Sequence, residues 1–74
     1  MENSTLHQGE QKRLQRAIGE RIYMLSNSKE QRQELFRKAY TALKVRYQVA
    51  TYKEIKQHQL QDALRFLAKW DGRT

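Results

Sequence analysis

Cysteine and proline are absent from the 74 residues, and glycine occurs three times. Without cysteine there can be no disulfide, no thiolate zinc site and no thiol nucleophile. A cysteine-free chain suits a reducing compartment. No apolar run approaches the ~18 residues that a membrane span needs. The polar start, Met1 to Gly9, lacks the apolar stretch of a signal peptide. These absences lead us to expect a protein of the cytoplasm that does not use a membrane. Histidine is scarce as well. His7 and His58 stand far apart and share no metal-ligand spacing, so no metal is expected. Gly9, Gly19 and Gly72 are isolated and make no phosphate loop, and no serine has the context of a nucleophile elbow. The eight carboxylates are dispersed through basic sequence, which suits ion pairs better than acid–base chemistry. The expectation is a protein that is not an enzyme and needs no cofactor.

What the chain has in plenty is positive charge. Fifteen Lys+Arg oppose eight Asp+Glu, a net charge of +7. Such an excess attracts phosphate backbones and other anionic surfaces, so nucleic acid is one possible partner. A Lys/Arg-rich helical surface with no such partner is the plainer alternative. Size matters too. Cores of fewer than about 70–80 residues rarely supply more than ~3–5 kcal/mol. With disulfides absent and no metal expected, association with another chain is the remaining common support.

Helical periodicity accounts for most of the sequence. Residues 1–9 show no period and are expected to form a flexible N-terminal tail, leaving 10–74 as a single helical domain. From Glu10 to Leu25, Leu14, Ala17, Ile18, Ile22 and Leu25 recur on one face. Arg21 falls inside that face and should snorkel to its edge or pair with a carboxylate. Tyr23 lies opposite, either simply exposed or part of a second contact surface. Ser28 followed by Gln31 matches a capping box and starts a second helix that runs to about Tyr47. Leu35, Phe36, Ala39, Ala42, Leu43 and Tyr47 form its apolar side, with Tyr40 at the border. Arg37, Thr41, Lys44 and Gln48 lie opposite, with Lys38 nearby. Arg46 projects from the apolar side and should stand near an end or be paired. Thr51 followed by Glu54 repeats the capping pattern and opens a short helical turn that brings Tyr52 and Ile55 inward. A last helix, from about Gln57 to Lys69, carries Leu60, Ala63, Leu64 and Leu67 inward, with Phe66 and Trp70 at the border. Asp71-Gly72 is a natural stop.

The expected fold is therefore all-α, a small bundle of three main helices plus a short helical turn. Tyr23, Tyr40, Phe66 and Trp70 lie at or beyond the apolar stripes and are candidate anchors for an oligomer or another partner. Arg37, Lys38 and Lys44 form a candidate basic face. The second and third helices also resemble a helix-turn-helix in outline. Its recognition helix would expose Gln57, His58, Gln61, Asp62, Arg65 and Lys69, with Asp62 poorly placed among phosphates.

The stretch Leu14 to Trp70 also resembles the carboxy-terminal domain of antirepressor proteins of temperate phages. The resemblance rests on Ala17-Ile18 and Arg21-Ile22-Tyr23-x-Leu25, then on Leu35-Phe36-Arg37-x-Ala39-Tyr40-x-x-Leu43-Lys44. It continues in Tyr47-x-Val49-x-Thr51-Tyr52-Lys53-Glu54-Ile55 and in Ala63-Leu64-x-Phe66-Leu67. That family often has Phe in place of Tyr47 and Gly in place of Gln48, and commonly Pro in place of Lys56. Those departures point to a turn built a little differently after Tyr47. The resemblance implies function by binding: a phage repressor protein as partner, a homo-oligomer (dimer or tetramer), release of operator DNA and induction of lytic genes. It brings no catalytic residue. The alternative is a DNA-binding module of a phage transcriptional regulator, acting through Arg37, Lys38 and Lys44.

Overall fold

The computed structural model describes residues 4–72. Its elements are α1 (Gln8–Leu25), α2 (Lys29–Tyr47), two 3-10 turns (Tyr52–Glu54 and Gln57–Gln59) and α3 (Leu60–Lys69). The all-α expectation holds: among the described residues no strand forms, only an isolated antiparallel bridge between Thr5 and Lys56. α1 is the centre of the molecule, and α2 and α3 both pack on it.

The helix boundaries follow from local chemistry. At the start of α1, the His7 N–H donates to Glu10 Oε1 at 2.8 Å, satisfying a donor that the helix leaves free. Ser28 Oγ accepts from the Gln31 N–H at 3.1 Å and starts α2. The Gln31 side chain reaches one residue further back than a capping box requires, to the Asn27 N–H at 2.7 Å. The 50s turn repeats this arrangement. Thr51 Oγ1 accepts from the Lys53 N–H, and the Ala50 N–H donates to Glu54 Oε1. α2 ends at Gln48, which takes the left-handed conformation (φ 55°, ψ 50°) that turns the chain out of the helix. This is the position where the antirepressor family often has glycine, the residue best suited to it.

Leu14, Ile18 and Ile22 of α1 are fully buried, against Ala39 and Leu43 of α2 and Ala63 and Leu67 of α3. Burying each Leu or Ile stabilises the fold by roughly 1.5–3 kcal/mol. Ile55, between the two 3-10 turns, and Trp70, just past the end of α3, join this core.

The N-terminal segment departs from expectation. Ser4–His7, placed by sequence in a loose tail, is docked. The Leu6 N–H donates to the Ile55 carbonyl at 3.0 Å, and the Gln57 N–H to the Ser4 carbonyl at 2.8 Å. Leu6 itself is buried in the core. A single leucine among polar residues has no period to reveal it, yet it joins Ile55 and Leu60 in the buried cluster just before the start of α1. Gln8 and Gly9 belong to α1 rather than to a tail, and Met1 to Asn3 lie outside the described residues.

Candidate functional site: a cation-framed apolar groove on α2

The four aromatic anchor candidates fall into four different environments. Trp70 is buried and belongs to the core, which rules it out as an exposed anchor. Its indole N–H is buried without an acceptor, so packing alone holds the ring. The Trp70 carbonyl, at the end of α3, accepts from Arg21 Nε at 2.7 Å. Arg21 thus places its cation at the negative end of a helix rather than on a carboxylate. Tyr40 is half-buried between Phe36 (ring centroids 6.5 Å apart) and Tyr52 (5.3 Å). Burial, and then the neighbouring Tyr52, push its hydroxyl above the usual range. Tyr23 is 63% exposed, with the Arg32 guanidinium 4.9 Å above its ring. Phe66 is half-buried, and the Arg46 guanidinium lies 4.8 Å above it.

Arg46 joins α2 to α3, as a paired arginine on the apolar side should. Its Nε and Nη2 donate to the Asp62 carboxylate at 3.1–3.3 Å. Tyr47 Oη donates to Asp62 Oδ2 at 2.5 Å. These bonds hold the Asp62 carboxyl below its ordinary range. Burial, followed by the bond to Asp62, pushes the Tyr47 hydroxyl up to about 12. Asp62 is engaged on the flank of α3, so this face is not a clean recognition helix for a DNA groove.

Beside this clasp lies a groove of about 850 Å³, lined by Arg37, Lys38, Thr41, Ala42, Val45, Arg46, Phe66 and Gly72. Positions 38, 42 and 45 follow one row along α2. Val45 is 72% exposed at the middle of the outward face. Gly72 closes one end, where the chain turns at φ 84° and an added Cβ would stand 2.8 Å from Leu35 Cδ2. Ala42, Val45 and Phe66 supply the apolar floor, and Arg37, Lys38 and Arg46 the cations. No carboxylate is among the lining residues. Glu34 and Asp62 approach from outside, each paired with one of these arginines.

Of the proposed basic face, the structure brings Arg37 and Lys38 together on this groove. Lys44 is half-buried and does not line it. The hydropathy pattern does not mark Val45, because one valine on a polar face leaves the core stripe unchanged. It could have been found as the one β-branched apolar residue between Thr41 and Gln48 on that face. Lys12, Arg13 and Arg16, exposed on α1 around a shallow depression with Gly9 and Gln15, also escape the pattern.

Among the described residues no group of three or more His, Cys, Asp or Glu stands close enough to hold a metal ion. No helix there is long and apolar enough to cross a membrane. No curated protein and no solved structure matches the chain. The ORF6C domain does match, over residues 1–74. A match across the whole chain shows that the protein, a fold of three helices, belongs to the ORF6C domain family.

Proposed function

We propose that this protein is a phage antirepressor: it binds a prophage repressor by protein–protein contact, in the host bacterial cytoplasm, and frees operator DNA so that lytic genes are induced. The observation that carries this reading is the uncovered groove. Val45 is largely exposed, Phe66 on the same groove is half-buried under the Arg46 guanidinium, and cations frame both. An exposed valine stabilises nothing in the monomer, whereas apolar area inside a charged frame is the usual composition of a protein-binding surface. The resemblance from Leu14 to Trp70 supplies the kind of partner. Binding displaces the repressor from DNA if the antirepressor prefers the repressor's DNA-free state. Adding the protein to a cognate repressor–operator complex should release labelled operator. Retention of the operator at a several-fold excess over repressor overturns the reading.

The oligomer belongs to this proposal. Met24 is 75% exposed and borders an apolar strip with Ala17, Leu64 and Ala68, between α1 and α3. We assign self-association to that strip; Tyr23, its ring against Arg32 of α2, does not line it.

One observation favours DNA binding as a second reading. Among the described residues Lys12, Arg13 and Arg16 form no ion pair with a carboxylate, and they stand exposed together on α1. On α2, by contrast, Arg37 is paired with Glu34. If this reading holds, a random duplex binds with steep salt dependence. Reversing Lys12, Arg13 and Arg16 to Glu then abolishes binding, and reversing Arg37 and Lys44 has the smaller effect. No binding at low salt removes the reading.

A further inference from the structure

We infer that the α2 groove takes an acidic amphipathic helix, laid along α2 with its apolar side on Val45, Ala42 and Phe66 and its carboxylates on the flanking cations. This rests on the antirepressor reading and specifies the part of the partner that is seized.

Shape comes first. The lining of α2 runs from Arg37 to Arg46, and at about 1.5 Å per residue this is roughly two and a half turns of helix. The floor is apolar at Ala42 and Val45 of α2 and at Phe66 of α3, with Lys38 one turn before Ala42 on the same row. An α-helix presents apolar residues at the same three- and four-residue spacing, so one turn can seat beside Ala42 and the next beside Val45. An extended strand would find no free sheet edge here, since the Thr5–Lys56 bridge is isolated.

Charge decides among occupants. Arg37, Lys38 and Arg46 line the groove. Arg65 and Lys69 stand on the far side of Phe66, in the adjoining depression. Five cations thus surround the apolar floor, against the four carboxylates Glu30, Glu34, Asp62 and Asp71 on the adjoining surfaces, none of which lines the groove itself. The Arg37 and Arg46 ion pairs are solvent-exposed, so an incoming carboxylate can share these guanidiniums at little cost. A second copy of this chain is a poor occupant, because a molecule of net charge +7 would bring cations onto cations. A phosphate backbone would satisfy the cations but leave Val45 and Phe66 without an apolar partner. A helix with leucine-like residues on one side and Asp or Glu along both flanks satisfies both.

The test uses the full chain and two helix-stapled peptides of about four turns. Both carry leucines at alternating three- and four-residue spacing. One is flanked by glutamates and its twin by lysines. The expected result is saturable binding of the glutamate peptide, with NMR shifts centred on Val45, Ala42 and Phe66. The lysine twin should bind at least tenfold more weakly. Val45→Glu, at an exposed position that leaves the core intact, should weaken the glutamate peptide at least tenfold. Equal binding of the two peptides overturns the inference. So do shifts centred on Tyr23 and Met24, tighter binding of a short DNA duplex at Val45, or shifts at Val45 that arise from self-dimerisation alone. The two proposals fail separately. If the chain binds the glutamate peptide but releases no operator, the antirepressor reading falls and the groove stands. If the chain releases operator and ignores the peptide, the groove falls and the antirepressor reading stands.

Discussion

Tyr47, Asp62 and Arg46 form a polar cluster that ties α2 to α3, and its energetics can be read at single atoms. The Tyr47 hydroxyl donates to a carboxylate that also accepts from a guanidinium. Deprotonating Tyr47 in the folded state would place a second anion against Asp62 in a half-buried site, so its pKa is raised from 10.0 to about 12. A raised folded-state pKa means that this group's stabilisation is intact below pH 10 and is lost as pH rises through about 12. Asp62 has the opposite sign: its lowered pKa gives stability that is present at neutral pH and is lost on acidification below about 4. Tyr47→Phe should therefore cost about 0.5–1.5 kcal/mol at pH 7, the net contribution of a hydrogen bond. It should also flatten the alkaline limb of the stability profile relative to the wild type. Urea midpoints from pH 7 to 12 for the two proteins test both effects. Parallel alkaline limbs would show that Tyr47 does not carry the linkage.

The elements place two further predictions. Gln48 ends α2 at positive φ, where a side chain costs roughly 1–2 kcal/mol relative to glycine. Against this, glycine loses more freedom on folding. Gln48→Gly should stabilise the protein by about 0.5–1 kcal/mol, seen as a higher urea midpoint at unchanged slope. A lower midpoint would mean that the Gln48 side chain contributes something its backbone geometry does not show. Lys56 is the companion departure from the antirepressor pattern. Its φ of −77° and the extended Ile55 before it both suit proline. What a proline would remove is the Lys56 N–H bond to Gln59 Oε1. The docked N-terminal segment gives the larger effect. Leu6→Ala opens a cavity beside Ile55 and should cost about 2–3 kcal/mol, a large part of what so small a core can supply. Thermal melts of Leu6→Ala and of a chain lacking residues 1–7 should both show strong destabilisation. Wild-type stability in the shortened chain would mean that Ser4–His7 adds nothing to the core.

At the scale of the whole molecule, what the sequence shows and what it hides divide along one physical line. Periodic burial is legible: Leu14, Ile18, Ile22, Leu43, Ala63 and Leu67 repeat at helical spacing and are the core. Capping is legible, because Ser28 and Thr51 act over two or three residues. Single contacts between distant segments are not. Leu6 on Ile55, Trp70 folded inward and Arg21 on the Trp70 carbonyl each depend on where three helices meet. The groove is hidden for the same reason, since Val45 and Phe66 come from different helices.

Among the described residues, two surfaces with apolar lining stand apart in charge. The α2 groove is cationic. The strip of Ala17, Met24, Leu64 and Ala68 carries one acid and one base, Glu20 and Arg21. In a two-fold dimer, a strip containing both signs can place each on the opposite sign of its partner. A purely cationic groove cannot. Self-association should therefore use the α1–α3 strip and leave the α2 groove open to another protein. If so, the thermal midpoint rises with protein concentration over about a hundredfold range, because only the folded chain assembles. Met24→Glu, at an exposed position, should yield a monomer by sedimentation that still binds the glutamate-flanked peptide. Val45→Glu should do the reverse and remain an oligomer. A Met24→Glu protein that stays associated, or a wild-type midpoint independent of concentration, would remove the strip as an interface.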